Sequence, residues 1–148
     1  HAYVVHIAGR DRMTEAQAAA EQLTSDDRDR YLLFPYLDAD EMAAALAAAD
    51  LVVCRSGAST IGELPAVGCP AVLVPLPQRT VHQYENARFL ADRGAAVILP
   101  DDRLDELAAL VTQLLLDRDL LQTMRASMSR LAHPDAARKI AAIIAEAA

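Results

Sequence analysis

Short apolar runs rich in β-branched residues alternate with alanine-rich stretches along this chain. The apolar runs predict five strands, at Tyr3 to Ala8, Tyr31 to Phe34, Leu51 to Cys54, Ala71 to Val74 and Ala95 to Leu99. Because their hydrophobicity is nearly continuous, we expect these strands to be covered on both faces, as parallel strands are. The alternation therefore predicts an α/β fold, with a parallel sheet flanked by crossover helices.

The alanine-rich stretches predict the helices of this fold. They lie at about Thr14 to Leu23, Asp40 to Ala49, Ala58 to Val67, Gln83 to Arg93, Leu104 to Leu116, Asp119 to Leu131 and Asp135 to Ala147. Gly68 and Gly94 follow two of them as C-terminal stops. We expect surface loops at Thr24 to Arg30 and Pro75 to Thr80. The last helix is amphipathic, which favours packing on the sheet or on a partner domain.

Composition narrows the class of partner. At 148 residues, 53% hydrophobic and 4% aromatic, the chain fits one domain of helices packed on a sheet. A net charge of −7 argues against nucleic acid, and no basic patch indicates a membrane surface. Cys54 and Cys69 show no zinc-ligand pattern and are expected to be buried, reduced thiols. We expect no metal and no cofactor, and a cytoplasmic protein that meets membranes only peripherally.

The loop after the third predicted strand carries the clearest candidate chemistry. Ligands of open parallel sheets bind beyond the carboxyl ends of the strands, and here the run Arg55 to Thr60 leads from a strand into a helix. Gly57 allows a tight turn and close approach, so the N–H groups of Ala58, Ser59 and Thr60 would face a diphosphate. The alternative is that Ser56 merely caps the helix.

Three further groups of residues extend this candidate site. Glu63, one turn further along the helix, offers two acceptor oxygens to a ribose diol, although it is otherwise a solvated helix glutamate. His82, Gln83 and Asn86 share one helical turn, as directional contacts to sugar hydroxyls require, although a histidine at a helix start is more often structural. The segment containing Tyr36 and Leu37 could hold a flat base, although aromatic residues at strand ends are usually core.

Together these segments resemble the MurG-type glycosyltransferases of family 28, whose nucleotide-binding half is the C-terminal, Rossmann-like half of the GT-B fold. The resemblance runs from about Tyr31 to the C-terminus. It is carried by Ala49 to Ala58, Glu63, Gly68 to Ala71, Val74 to Pro77 and His82 to Ala87.

The resemblance implies transfer of N-acetylglucosamine (GlcNAc) from UDP-GlcNAc to a lipid-linked muramyl pentapeptide, inverting and without a metal, at the cytoplasmic face of the bacterial plasma membrane. Ser59 and Thr60 would meet the diphosphate and Glu63 the ribose. His82, Gln83 and Asn86 would lie at the sugar, and Tyr36 and Leu37 near the uracil. The predicted substrate-binding residues are Tyr36, Leu37, Arg55, Ser56, Gly57, Ala58, Ser59, Thr60, Glu63, His82, Gln83 and Asn86.

Family members are about twice as long, with an N-terminal domain that binds the acceptor lipid and supplies the catalytic base. We therefore expect residues 1–148 to form a donor-binding domain without its first strand and without a base, inactive alone. A subunit of a split lipid-linked GlcNAc transferase is the alternative. A transferase acting on a glycolipid or small molecule, or a binding module without turnover, also fits the residues.

Overall fold

The computed structural model of the protein describes residues 2–77 and 81–147. These residues form two compact units, a first up to Ala45 and a second from Leu46 onward. Each unit carries its own parallel sheet, of two strands in the first and three in the second. The predicted α/β class with parallel strands and flanking helices is confirmed. The five strands do not form one hydrogen-bonded sheet.

The first unit is built on strands β1 (Val4–Ile7) and β2 (Tyr31–Phe34), which pair in parallel with Val4 opposite Tyr31. A 3-10 turn at Arg10–Arg12 and helix α1 (Met13–Ala20) follow β1. Because helices pack against β2, β1 keeps its apolar side chains largely in solvent. The expectation that every strand is covered on both faces is therefore wrong for β1, and Leu32 of β2 is 46% exposed as well.

A short helix, α2 (Ser25–Arg28), occupies the segment predicted as a loop. The hydroxyl of Thr24 accepts a hydrogen bond from the backbone N–H of Asp27 at 3.2 Å. Asp26 and Asp27 stand in the first turn, where carboxylates favour the positive end of the helix dipole. This local capping outweighs the high charge on which the loop prediction rested.

The second unit is built on strands β3 (Val52–Cys54), β4 (Ala71–Leu73) and β5 (Ala96–Ile98), with β4 in the centre. Helix α3 (Ala39–Ala48) leads into it from the first unit. The elements that follow are α4 (Ala58–Val67), α5 (Val81–Ala91), a 3-10 segment at Asp101–Glu106, α6 (Leu107–Leu116), α7 (Arg118–Ser129) and α8 (Ala136–Ala147). Helix α4 begins and ends at the predicted residues.

Two apolar clusters cover the two faces of β4. Leu73 packs with Leu64 of α4, Leu90 of α5 and other buried residues on one face. On the other face, Val72 packs with residues that include Leu114 and Met124. Successive side chains of a strand point to opposite faces. Because both faces of β4 are buried, every residue of this strand has to be apolar. The prediction of two-sided burial is confirmed for β4, and it fixes the sheet edge where the candidate site lies.

Helix α8 does not bury its apolar face against the residues described. Ile140, Ile143 and Ile144 lie on one face at helical spacing and remain 58%, 66% and 64% exposed. Of the two predicted positions for this helix, packing on the sheet is wrong for the described part of the chain, and packing on a partner domain stays a prediction. None of the helices within residues 2–77 and 81–147 combines the length and apolarity needed to cross a bilayer.

Gly68 ends α4 in the left-handed conformation, with φ at 66°. The N–H of Cys69 donates to the carbonyl of Leu64 and that of Gly68 to Pro65, each at 3.1 Å. These two bonds are the Schellman ending of a helix. Gly94 has φ at 69° after α5, so both glycines are confirmed as helix stops.

Replacing Gly68 with alanine should destabilise the chain by about 1–2 kcal/mol or more, because left-handed backbone is strained for a residue with a Cβ. The added Cβ would also overlap the Ser129 hydroxyl. Chemical denaturation measures the loss. Gly62→Ala is the matched control, since its Cβ meets nothing within 4 Å and a helix-interior alanine should stabilise by up to about 1 kcal/mol. Equal stability of the Gly68→Ala variant and the parent would contradict this account.

Candidate functional site

The N-terminus of α4 lies at the carboxyl edge of the three-stranded sheet, and no side chain among residues 2–77 and 81–147 caps it. Gly57 precedes the helix and forms no side-chain capping bond. Ala58 and Ser59 are exposed in its first turn. The first N–H groups of a helix have no partner within the helix, and they carry the positive end of its dipole. Capping by Ser56, the alternative to a ligand at this turn, is wrong.

Ser56 turns its side chain inward instead. The residue is 1% exposed, and its Oγ donates to the backbone carbonyl of Gln83 at 2.7 Å. In return, Nδ2 of Asn86 donates to the backbone carbonyl of Ser56 at 3.0 Å. Two segments that the sequence places 27 and 30 residues apart are thus joined by a reciprocal pair of bonds. The structure brings together the loop after β3 and the first turns of α5.

Gln83 and His82 differ in what they contact. Oε1 of Gln83 accepts a hydrogen bond from the N–H of Leu76 at 3.0 Å, which closes the loop between β4 and α5. Residues 78–80 of that predicted loop lie outside the described residues. The His82 side chain is 91% exposed, and its Nδ1 lies 3.9 Å from a carboxylate oxygen of Glu85. Gln83 and Asn86 therefore already hold backbone groups, whereas His82 faces solvent.

Arg55 spans the carboxyl edge of the sheet. Its guanidinium donates to the backbone carbonyl of Val74 at 3.1 Å and forms an ion pair with Asp101. The loops after β3, β4 and β5 are thereby connected. The side chains of Arg55 and Asp101 are 44% and 29% exposed, so water screens the pair and its contribution is at most about 1 kcal/mol. Sequence reasoning missed Asp101, although an acid in the segment that follows β5 is a signal for it.

Gly57 does not form the tight turn expected of it. Its φ of −67° and ψ of 173° are extended values that any residue adopts. A Cβ added at this position would meet nothing within 4 Å. The backbone conformation at position 57 therefore does not require a glycine. What Gly57 provides is open space beside the first turn of α4.

Two more predicted residues, Thr60 and Glu63, lie in α4. Glu63 is exposed one turn after Ser59 and Thr60, and it forms no ion pair with any residue described. The Thr60 hydroxyl donates to the backbone carbonyl of Arg55 at 3.0 Å. The Thr60 hydroxyl is therefore engaged within the chain, whereas the exposed Glu63 carboxylate has no charge partner among the described residues.

Tyr36 and Leu37 belong to the first unit, at the carboxyl end of β2. The Tyr36 ring is 60% exposed, so the alternative that it is a core residue is wrong. The guanidinium of Arg10 lies over this ring, 5.3 Å from its centroid, as in a cation–π contact. Leu37 is buried. Sequence reasoning missed Arg10, which follows β1 as Tyr36 follows β2.

Two hollows in the described surface lie away from the α4 edge. One is lined by Tyr3, Asp26, Asp29 and Arg30, and the other by Gln113, Leu116, Asp117, Arg118 and Asp119. Neither includes a predicted site residue.

The two thiols lie in apolar surroundings, and one is directly beneath the site. Burial raises the pKa of Cys54, at the end of β3, from its ordinary 9.0 to about 11, while a hydrogen bond with Thr60 lowers it in part. Burial likewise raises the pKa of Cys69 to about 11. Both are free thiols, as predicted, although Cys54 is only half-buried. Neither supplies a thiolate at neutral pH.

Comparison with known proteins places these features in a family. Residues 1–140 match the family described as glycosyltransferase family 28 C-terminal domain. This chain belongs to glycosyltransferase family 28. The resemblance inferred from the site motifs is confirmed.

Relatives within family 28 are similar along most of this chain. A UDP-N-acetylglucosamine–N-acetylmuramyl-(pentapeptide) pyrophosphoryl-undecaprenol N-acetylglucosamine transferase of Roseiflexus sp. (strain RS-1) is 42% identical over 95% of it. A transferase of the same name from Pasteurella multocida (strain Pm70) is 42% identical over 89%. The crystal structure of Acinetobacter baumannii MurG matches 97% of it with a TM-score of 0.82 at 31% identity. The chain spans 36%, 37% and 41% of the lengths of these three proteins.

The raised thiol pKa values predict how the stability of this family 28 chain depends on pH. Folding favours the neutral thiols, so their contribution is fully present below about pH 9 and is lost as the pH rises through about 11. Denaturation at a series of pH values should show the free energy of unfolding falling across that window. The Cys54→Ala/Cys69→Ala double variant should fall less steeply, and an equal slope in both proteins would contradict the assignment.

Proposed function

We propose that this chain provides the donor-binding half of a transferase that moves GlcNAc from UDP-GlcNAc to lipid-linked N-acetylmuramyl pentapeptide. The names of its relatives describe that transfer. The observation that carries the proposal is the uncapped N-terminus of α4, which opens beside Gly57 and has an exposed carboxylate one turn away.

The backbone N–H groups of Ala58, Ser59 and Thr60 bind the diphosphate in this proposal. They form a fixed set of donors at a helix N-terminus, the arrangement that favours a phosphate anion. As the acceptor oxygen bonds to the anomeric carbon from the opposite side, the carbon–oxygen bond to UDP breaks and negative charge grows on the diphosphate. Fixed donors stabilise that charge more than they stabilise the bound substrate. The displacement inverts the anomeric configuration, and the scheme needs neither a lysine nor a metal ion.

Glu63 binds the ribose and the first turn of α5 binds the sugar. A carboxylate can accept hydrogen bonds from two vicinal hydroxyls at once. His82 is free to meet the sugar because it faces solvent. Asn86 uses its amide nitrogen on the carbonyl of Ser56, and its oxygen, to which no described residue donates, accepts from a sugar hydroxyl in this proposal.

The remaining parts of the reaction lie outside this chain in the same proposal. The chain spans 36% of the first relative, and we assign the acceptor site and the catalytic base to the rest of such a protein. The lipid-linked acceptor places the reaction at the cytoplasmic face of the plasma membrane. Contact of the uracil with the segment containing Tyr36 and Leu37 stays a prediction.

Nucleotide-sugar preference tests the proposed donor directly. Thermal unfolding of the chain with UDP-GlcNAc, UDP-glucose or dTDP-glucose at equal concentration should show the largest rise in Tm with UDP-GlcNAc, because tighter binding to the folded state stabilises it more. Equal shifts with the two UDP-sugars would show that the site does not select GlcNAc and would reject UDP-GlcNAc as its specific donor. No shift with any of the three would reject a donor site.

The Glu63→Ala variant tests the ribose contact. UDP binding measured by calorimetry should weaken by about tenfold or more, because a charged acceptor of two hydrogen bonds is lost. The parent should prefer UDP to 2′-deoxyuridine diphosphate, and the variant should lose that preference. Glu146→Ala, which removes an exposed glutamate of α8, is the control. A variant that keeps the preference for UDP would show that Glu63 does not contact the ribose.

A further inference from the structure

Ser56 and Asn86 form a reciprocal pair of bonds that we call the clasp. The hydroxyl of Ser56 donates to the backbone carbonyl of Gln83, and the amide of Asn86 donates to the backbone carbonyl of Ser56. Each side chain thus holds the main chain of the opposite segment. A buried hydroxyl without a partner is costly, so the buried Ser56 ties the two segments together rather than merely allowing contact.

The clasp joins the two parts of the proposed site near the N-termini of α4 and α5. Ser56 stands two residues before the first turn of α4, and Gln83 and Asn86 stand in the first two turns of α5. Further along, α4 and α5 pack through the apolar cluster that contains Leu64 and Leu90. The helix bodies are therefore held by apolar contacts, and their N-termini by the clasp.

Gln83 extends the clasp to the loop after β4. Its backbone carbonyl accepts from Ser56, and its side-chain oxygen accepts from the N–H of Leu76. A shift of Gln83 would therefore release the loop and the turn before α4 together. One residue connects three segments, which makes the network cooperative in the way hydrogen-bond chains are.

We propose that Ser56 and Asn86 are positioning residues, whose clasp sets the spacing between the diphosphate-binding end of α4 and the sugar-binding end of α5. The proposal rests on the proposed function, since it explains how recognition of the sugar is coupled to that of the diphosphate. Ser56 acts entirely through the backbone of Gln83, because its hydroxyl is buried and engaged. Asn86 acts through Ser56 with its nitrogen, while no described residue donates to its oxygen.

Two variants break the clasp from opposite sides. Ser56→Ala removes the buried hydroxyl, and Asn86→Asp keeps the size of the side chain while removing the donor. Ser129→Ala is the matched control, because it removes a hydroxyl that donates to the carbonyl of Arg125 at 3.0 Å, away from the site. Should Ser56→Ala fail to fold, Asn86→Asp carries the test.

The first measurement is the ratio of the affinities for UDP-GlcNAc and UDP, by calorimetry. In both variants the ratio of the UDP-GlcNAc affinity to the UDP affinity should fall by about threefold or more, since small errors in positioning are costly. In the double variant this ratio should fall no further than in the more affected single variant, because both substitutions disrupt the same pair of hydrogen bonds. Ser129→Ala should keep the parent ratio. A full sugar advantage in Ser56→Ala, or additive losses, would overturn the coupling.

The second measurement is hydrogen exchange at the backbone amide of Leu76, which needs no ligand. Exchange should be about tenfold faster in Ser56→Ala and Asn86→Asp than in the parent, as expected from the loss of one net hydrogen bond. Unchanged exchange in both variants would overturn the clasp. A parent that binds neither nucleotide would reject the proposed function and its link to the clasp, whereas the exchange rates would still report on the bonds themselves.

Discussion

The bond from the buried hydroxyl of Ser56 to the carbonyl of Gln83 is the contact on which the candidate site depends. It connects the loop after β3 to the first turn of α5, and its donor residue Ser56 is buried. Within the described residues, no buried side-chain nitrogen or oxygen lacks a partner. The site is therefore rigid at its base while its outer groups, such as Glu63 and His82, remain in solvent.

Beneath this contact, the burial of β4 determines where the loops can lie. A shift of this three-residue strand by one residue would exchange Leu73 and Val72 between two clusters that pack around different side chains, which is costly in a close-packed core. The loops that follow β3, β4 and β5 consequently emerge at one fixed edge. Arg55 adds a connection across that edge, through Val74 and Asp101.

The sequence was sufficient to predict those elements whose bounds depend on neighbouring residues in the chain. Helix α4 and its stop at Gly68 follow from periodicity and from the left-handed backbone that glycine allows. Amphipathicity, by contrast, shows that α8 has an apolar face but not what covers it. The partners of Ser56 and Arg55 lie 27 and 46 residues away along the chain, so spacing could not reveal them. The capping interpretation of Ser56 was wrong for the same reason.

Gly57 separates the requirements of folding from those of binding. Its backbone angles suit any residue, and a larger side chain would enter open space without disturbing a neighbour. That space lies beside the first turn of α4, where the chain offers its uncapped N–H groups. Position 57 is thus a place where access to those groups can be adjusted or blocked by one side chain, while the fold beneath them stays the same.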